Sequence, residues 1–563
     1  MDFKTFLEHF DTIAQAPNGI TKLRSLILDL AVRGKLVPQD PDDEPAKELL
    51  KVISNKHLEL GKEFRKPQNL PLIEDVEKPF ELPTGWCWCR FTEIGQLERG
   101  KSKHRPRNDP TLYKNGYIPL VQTGDVARAN GRITTYTALY NNEGLAQSRL
   151  WSKGTLCITI AANIGDSAIL DFDACFPDSI VGFSPTEPIS DSKYFEFFMR
   201  TLKSHLEDFA PSTAQKNINL AILDEVLIPL PPLAEQKRIV EKVDELMALC
   251  DRLQDSQETR DQVRQKLRES AIASLMNAET DEELQKNWAI VRDNWHTLSQ
   301  KPEDVNDLRR SVLQLAVQGK LSVQDPTDQS AFLVADQIKE KKKSATKSTQ
   351  SNTNKAIRIP FEIPSNWIWL RINDLYDVSG GIQKTPKRKP VSNYFPYLRV
   401  ANVQRGYLNL EEIEYFELLE GELERWNLQP GDLLIVEGNG SEKEIGRCAI
   451  WNGEIEKCVH QNHIIRARPI GYNGQVFTLM FLNSPSGMAE MRDLAITTSG
   501  LYSLSVGKIR EILVPFPPLA EQKQIVAKVN ELMQMCDRLE ESLRQSQQWV
   551  EALAASSISH LTV

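Results

Sequence analysis

Pro229 to Leu253 reads PLPPLAEQKRIVEKVDELMALCDRL, and Pro515 to Leu539 reads PFPPLAEQKQIVAKVNELMQMCDRL. So close a repeat, 286 positions apart, means the chain is built twice on one plan. Each copy begins in an apolar, strand-like segment that ends in proline (Val226 to Pro229; Ile512 to Pro515). Pro231-Pro232 and Pro517-Pro518 then set up a helix start. Within the helix Ile239, Val243, Leu246, Cys250 and Leu253 step by three and four. Ile525, Val529, Leu532, Cys536 and Leu539 do the same, and the stripe runs on through Leu543, Val550 and Leu553. That is a heptad seam. Its recurrence in two distant places points to helices packing on each other, or on a shared partner, more than on their own domains.

Working outward, the flanks repeat as well. Residues 2 to 34 read as two helices broken at Pro17-Asn18-Gly19, with Phe3, Phe6, Phe10 and Ile13 on one face. The second, Leu23 to Gly34 (LRSLILDLAVRG), is closed by a glycine. Trp288, Val291, Trp295 and Leu298 match the first face, and Leu308 to Gly319 (LRRSVLQLAVQG) matches the second helix. Charge-rich helices are expected over 46 to 65 and 329 to 343, with a Lys/Ser/Thr-rich linker at Lys341 to Lys355. A tryptophan signature opens the next region of each copy, FELPTGWCWCR at 80 to 90 and FEIPSNWIWLR at 361 to 371. About 140 mixed residues follow with short strands: Gly154 to Ile160 against Gly431 to Val436, and Ile180 to Phe183 against Ile464 to Ala467. One helix is expected near each end, Lys193 to Phe209 and Gln475 to Leu494. Framework segments that nearly match around inserts that diverge suggest one scaffold carrying two different readers.

The chain has 563 residues, 40% of them hydrophobic, and no apolar run of transmembrane length. Its first residues, MDFKTFLEHF, are amphipathic and unlike a signal peptide. Eight scattered cysteines fit reduced thiols in a cytoplasmic chain. A net charge of -9 argues against a general polyanion binder, though not against local basic patches.

Catalytic patterns are weak. Gly95 to Ser102, GQLERGKS, fits the P-loop spacing, yet Pro106 and Pro110 forbid the helix a P-loop needs. Asp178, Asp191 and Lys193 could form a metal-dependent nuclease site, which is the alternative reading. The repeat, however, sets His460-Gln461 against Pro177-Asp178. Cys448, Cys458, His460 and His463 are loosely spaced for zinc and read better as strand and turn residues. No metal site is therefore expected, and no catalytic residue is assigned.

Basic clusters fall at matching places. Arg99, Lys101, Lys103, Arg105 and Arg107 lie close together in copy one, and Lys384, Lys387, Arg388 and Lys389 occupy the equivalent loop of copy two. Such side chains contact phosphates. Nearby, Gln122, Thr123, Asp125 and Arg128, and Arg399, Asn402 and Gln404, could reach base edges. Gln215, Lys216 and Asn217 form a further polar loop, matched in copy two by Thr498, Ser499 and Tyr502, with Asn439 and Lys443 on a neighbouring strand end.

PLPPLAEQKRIVEKVDEL and its second copy, LAVRGKL and LAVQGKL, the paired tryptophan openings, LVQTGDV, LRVANVQ and LQPGDLLIVEGNG together resemble the specificity subunits of type I restriction-modification systems. The resemblance spans nearly the whole chain. It implies an α+β chain: two α/β target-recognition domains in tandem repeat, separated and joined by long helices forming an antiparallel coiled coil. The regions expected are an N-terminal helical region (1–66), recognition domain 1 (79–228), a central helical spacer (229–345), recognition domain 2 (358–514) and a C-terminal spacer helix (515–563). It also implies a non-catalytic subunit that reads a bipartite, asymmetric double-stranded DNA target. Two methyltransferase subunits would bring S-adenosylmethionine, and restriction subunits would bring ATP and Mg; no cofactor is expected in this chain and no membrane contact.

Overall fold

In the computed structural model the residues described are all but 1–2, 61–72, 105, 162–163, 209–219, 346–358, 386–387, 440–443, 472, 499–500 and 563. The chain divides into two compact units, residues 1–260 with 547–563, and residues 261–546. Each long helix contributes to both units, the boundary falling after position 260 of the unbroken helix Leu233–Met276 and after 546 of Leu519–Thr562. Among the described residues no helix is long and apolar enough to cross a membrane.

The first unit opens with helices Phe3–Gln15 and Gly19–Val32, divided at Asn18, whose φ of 56° lies in the left-handed region. Its recognition part holds a five-stranded sheet ordered Gly95–Arg99, Ile180–Pro185, Leu156–Thr159, Ser167–Leu170 and Gly131–Ile133. A four-stranded sheet, Ala138–Tyr140, Ile118–Leu120, Ala174–Cys175 and Leu150–Trp151, lies in the same part. The second unit repeats this with Tyr376–Ser379, Ile464–Pro469, Leu433–Val436 and Cys448–Ile450, and with Glu414–Glu417, Tyr394–Leu398 and Val459–His460. Where one helix is expected at Gln475 to Leu494 there are two, Gln475–Asn483 and Pro485–Leu494. Pro485 removes a helical N–H, and Ser484 caps the new start by accepting from Gly487 N.

The repeated stretch has a definite task in each unit. Cys87–Arg90 pairs antiparallel with Leu227–Leu230, and Ile368–Arg371 with Leu513–Phe516. The two ends of each recognition part are thus zipped together just before the long helix. The helix then starts with a buried carboxylate. Trp86 Nε1 donates to Glu235 Oε2 at 2.9 Å, and Trp367 Nε1 donates to Glu521 Oε2 at 2.9 Å. Gln39 adds a bond to Glu235, and Ser322, Gln324 and Asn366 add bonds to Glu521. Burial raises the pKa of Glu235, and the Trp86 and Gln39 hydrogen bonds oppose that shift. The next residue caps the turn: Gln236 Nε2 donates to Pro231 O, and Gln522 Nε2 to Pro517 O. Gly34 closes the set. Its φ is +66°, and a Cβ there would stand 2.5 Å from Pro83 and 2.9 Å from Trp86. The glycine, tryptophan and glutamate signatures are parts of one lock.

The heptad stripe lies elsewhere than the sequence suggests. Ile239, Val243, Leu246 and Cys250 are buried in one core with Leu23, Ile27, Trp86 and Tyr194 of their own unit. Ile525, Val529 and Leu532 are buried likewise with Val312, Ala316 and Trp367 of theirs, and Cys536 with Trp295 and Leu308. Leu253 and Leu539 are partly buried against these cores. A stripe at helical spacing records that something apolar covers it, and here the cover is the unit's own helices and recognition part. All eight cysteines are buried as free thiols. Burial pushes Cys448 and Cys458 up to about 12, so these thiols are unreactive packing groups.

Candidate nucleic-acid interface

In the first unit the basic loop leaves the end of strand Gly95–Arg99. Gly100 N donates to Ile180 O, and a Cβ on Gly100 would stand 2.4 Å from the carbonyls of Phe176 and Pro177. The loop is braced from behind by Gln147, whose Oε1 accepts Lys103 N at 2.8 Å and His104 N at 3.2 Å, and by Ser148 donating to Lys101 O. Lys101 and Lys103 remain exposed. Arg107 pairs with Asp178 at 2.5 Å, and Arg99 Nε donates to Asp178 O at 3.1 Å. The loop therefore presents its lysines on a fixed backbone.

Beside it, Thr123–Arg128 forms a short helix with Gln122 at its N-cap. Asp125 is 6% exposed; it accepts from Gln122 N, Thr137 Oγ1 and Arg128. Its equivalent, Asn402, is 3% exposed; it accepts from Arg399 N and donates to Asn409 O and Glu412 O. Both were candidates for base contact, and the structure spends both side chains on holding a turn. Gln122, Thr123 and Arg128 stay at the surface or half-buried there.

The second unit builds the same loop with different electrostatics. Gly381 takes the place of Gly100: its Cβ would meet the carbonyls of His460 and Gln461 at 2.3 and 2.4 Å. His460 thus corresponds to Phe176, one residue from the match the sequence suggests, because the glycine's close approach fixes the register. Here the cations face carboxylates. Lys384 pairs with Glu414 at 2.5 Å, Arg388 forks onto Glu422 at 2.5 and 2.9 Å, and Arg399 reaches Glu414 and Glu412. The Lys384 hydrogen bond holds the Glu414 carboxyl below its usual range, as Arg388 does for Glu422. Lys389 is exposed, while Gln404 donates to Ala401 O and accepts from Arg447. The sequence reading missed these acids and Arg447; the alternation of Glu412, Glu414 and Phe416 was the available signal.

Two separated polar stretches of copy two meet in one three-stranded sheet, Gly438–Asn439, Leu501–Ser503 and Ile496–Thr498. The register sets Asn439 opposite Tyr502, and Tyr502 opposite Thr497. The side chains of Asn439, Thr498 and Tyr502, and residues Arg105, Gln215, Lys216, Asn217, Lys387, Lys443 and Ser499, lie outside the described residues.

No hydrolytic site assembles from the acidic candidates. Asp178 holds Arg107, Asp191 caps Lys193 N at 2.9 Å, and Lys193 Nζ pairs with Asp244 at 2.5 Å. Among the described residues no three His, Cys, Asp or Glu side chains come together as a metal site. Gly95–Arg99 is a strand, so the P-loop spacing is accidental. Cys448 begins a strand and Cys458 immediately precedes one, both buried; His460 Nδ1 meets Ile464 O, and His463 pairs with Glu437.

Two units of one plan, each holding an α/β part clamped onto a long helix, make the chain a tandem repeat. The family model described as type I restriction modification DNA specificity domain matches residues 83–260 and 364–546. The type I restriction enzyme EcoAI specificity subunit of Escherichia coli is 30% identical over 94% of this chain and 92% of its own. The EcoKI specificity subunit of Escherichia coli strain K12 is 25% identical over 85% and 89%. A solved chain from work on assembly and conformational transition of the type I R-M system shares the fold, with a TM-score of 0.51 at 16% identity over 86% of this chain and 99% of that one. The chain belongs to the family of type I restriction-modification specificity subunits, which are not themselves catalytic.

Proposed function

We propose that this chain reads a bipartite, asymmetric DNA sequence through two target-recognition domains, residues 79–228 and 358–514. Its helical regions, 1–66, 229–345 and 515–563, then serve as frame and spacer, the long helices paired as an antiparallel coiled coil. The carrying observation is that both units keep the Trp–Glu lock while their basic loops differ, exposed lysines in one and carboxylate-held cations in the other. A constant frame with two dissimilar readers is what an asymmetric target requires. Each long helix has 44 residues, about 66 Å at about 1.5 Å per residue, close to two turns of duplex at about 34 Å each.

Two methyltransferase subunits supplying S-adenosylmethionine, and restriction subunits supplying ATP and Mg, would dock on the helical regions. In support, Val263 and Leu267 are 51% and 50% exposed, and Trp549 and Leu553, exactly one repeat later, are 72% and 57% exposed. Solvent-facing apolar pairs at matching places suit a protein partner. The reading is tested by exchanging residues 90 to 220 for those of another reader and mapping methyladenine across the host genome. One half of the modified motif should change and the other stay. A change in both halves, or in neither, would refute the modular reading.

A further inference from the structure

The basic loop is tied down in both units, but by different chemistry, and the strand register allows a residue-by-residue comparison. Gly100 and Gly381 press on corresponding carbonyls, so Lys103, three residues on, corresponds to Lys384. Leu120 pairs with Cys175 and Ala138, as Tyr397 pairs with Val459 and Glu414. Ala138 therefore stands in the first unit where Glu414 stands in the second, and Asn141 stands where Glu417 does.

In the second unit these places hold carboxylates. Glu414 holds Lys384 at 2.5 Å, and Glu422 holds Arg388, whose guanidinium also lies 5.5 Å from the centre of the Phe416 ring. Glu417 accepts from the backbone N–H of Val391 and of Asn393, both at 2.8 Å. In the first unit the same places are neutral. Asn141 Nδ2 donates to Thr111 O at 2.8 Å and to Lys114 O at 3.1 Å, while Gln147 Oε1 accepts Lys103 N at 2.8 Å. These bonds use the backbone of the loop and leave its ammonium groups alone. Arg107 is paired with Asp178, but Ala138 offers Lys103 no carboxylate, and Lys101 and Lys103 stay exposed.

We propose that the two recognition parts engage DNA in a fixed order: the loop of the first unit captures the duplex by its phosphates whatever the sequence, and the loop of the second unit adds its contact only after Lys384 leaves Glu414 for a phosphate. This rests on the DNA-reading function proposed above. An ammonium with no carboxylate beside it attracts a polyanion across a Debye length, about 8 Å at physiological salt, whereas an ammonium paired with a carboxylate is a dipole of short reach. Charges that steer an encounter act on the association rate. Exchange is open to Lys384 because its side chain is 55% exposed, and exposed ion pairs are weak. Arg388 and Glu422 are each 22% exposed and the guanidinium is backed by a ring, so that pair stays closed and anchors the loop.

The test uses the full chain assembled with its methyltransferase subunit, and follows association and dissociation by stopped flow at low salt. The probes are a duplex carrying the motif methylated in the host and a scrambled duplex of the same length. Lys101→Gln with Lys103→Gln should slow association about three- to tenfold on both duplexes. Lys384→Gln should change association little and speed dissociation from the motif duplex. Glu414→Ala, which gives the second unit the first unit's residue, should speed association, and that gain should vanish when Lys384→Gln is added. Ala138→Glu, which gives the first unit the second unit's carboxylate, should slow association and add nothing once Lys103→Gln is present. Equal slowing of association by the Lys103 and Lys384 variants would overturn the order. So would a gain from Glu414→Ala that survives the loss of Lys384. A wild-type complex with no preference for the motif duplex would overturn the functional reading itself, and this proposal with it.

Discussion

Single side chains decide much of this molecule. Glu521 is fully buried and accepts hydrogen bonds from Trp367, Asn366, Ser322 and Gln324. Glu521→Ala leaves several buried donors without a partner and should cost about 2–4 kcal/mol, since each lost bond exposes a desolvation penalty. Urea unfolding of the variant would measure it, and a loss below about 0.5 kcal/mol would refute the lock. His460 is a second case. Burial first, then the nearby Arg466 charge, pushes its pKa down to about 4, whereas an unfolded histidine titrates near about 6.5. Below about 6.5 the unfolded chain therefore takes up a proton that the folded chain refuses. The stability is intact above that pH and falls as pH drops toward about 4, by up to about 3 kcal/mol. His460→Phe, the residue that copy one has at Phe176, should flatten the pH dependence of unfolding between pH 7 and 4; an unchanged slope would rule His460 out as its source.

At the scale of the element, the first long helix is anchored at its start and again near its end, where Arg268 pairs with Asp304 and Asp307 and Leu275 is buried. Its first turns carry the buried carboxylate and the covered stripe, whereas Val263 and Leu267 farther on face solvent. Leu246 is 2% exposed within the core of the first unit. Leu246→Asp should destabilise that unit by about 3–5 kcal/mol, because a carboxylate would be buried among apolar groups. Hydrogen exchange should show faster opening of residues 1–260 with residues 261–546 near normal. Equal loosening of both would mean that the stripe works chiefly between the long helices. The helix starts were legible in the sequence because Pro-Pro follows local rules. The cover over the stripe was not, because a heptad pattern is the same whatever lies on it.

For the whole molecule, the repeat sets two α/β parts whose basic loops differ in electrostatics. Lys101→Gln with Lys103→Gln should lower the affinity of the assembled complex for its DNA and reduce the salt slope by up to about 2, since each phosphate contact contributes about 0.9. Lys384→Gln should have a smaller effect, because Glu414 already neutralises that ammonium. Filter binding at a series of salt concentrations would separate them; equal slopes for all variants would remove these loops from the interface.

By itself the sequence determined the doubled plan, the helix starts, two strands of each α/β part and the family, because these depend on spacing, turn chemistry and recurrence. It also placed the basic loops, since charge is visible in composition. Only the tertiary structure decided which of those side chains are available. Asp125 and Asn402 are consumed by turns, and Lys384 and Arg388 are held by Glu414 and Glu422 from strands or helices distant in the chain. The partners of Lys384 and Arg388 lie 30 and 34 residues away in the chain and leave no local signal, so folding alone brings them within reach.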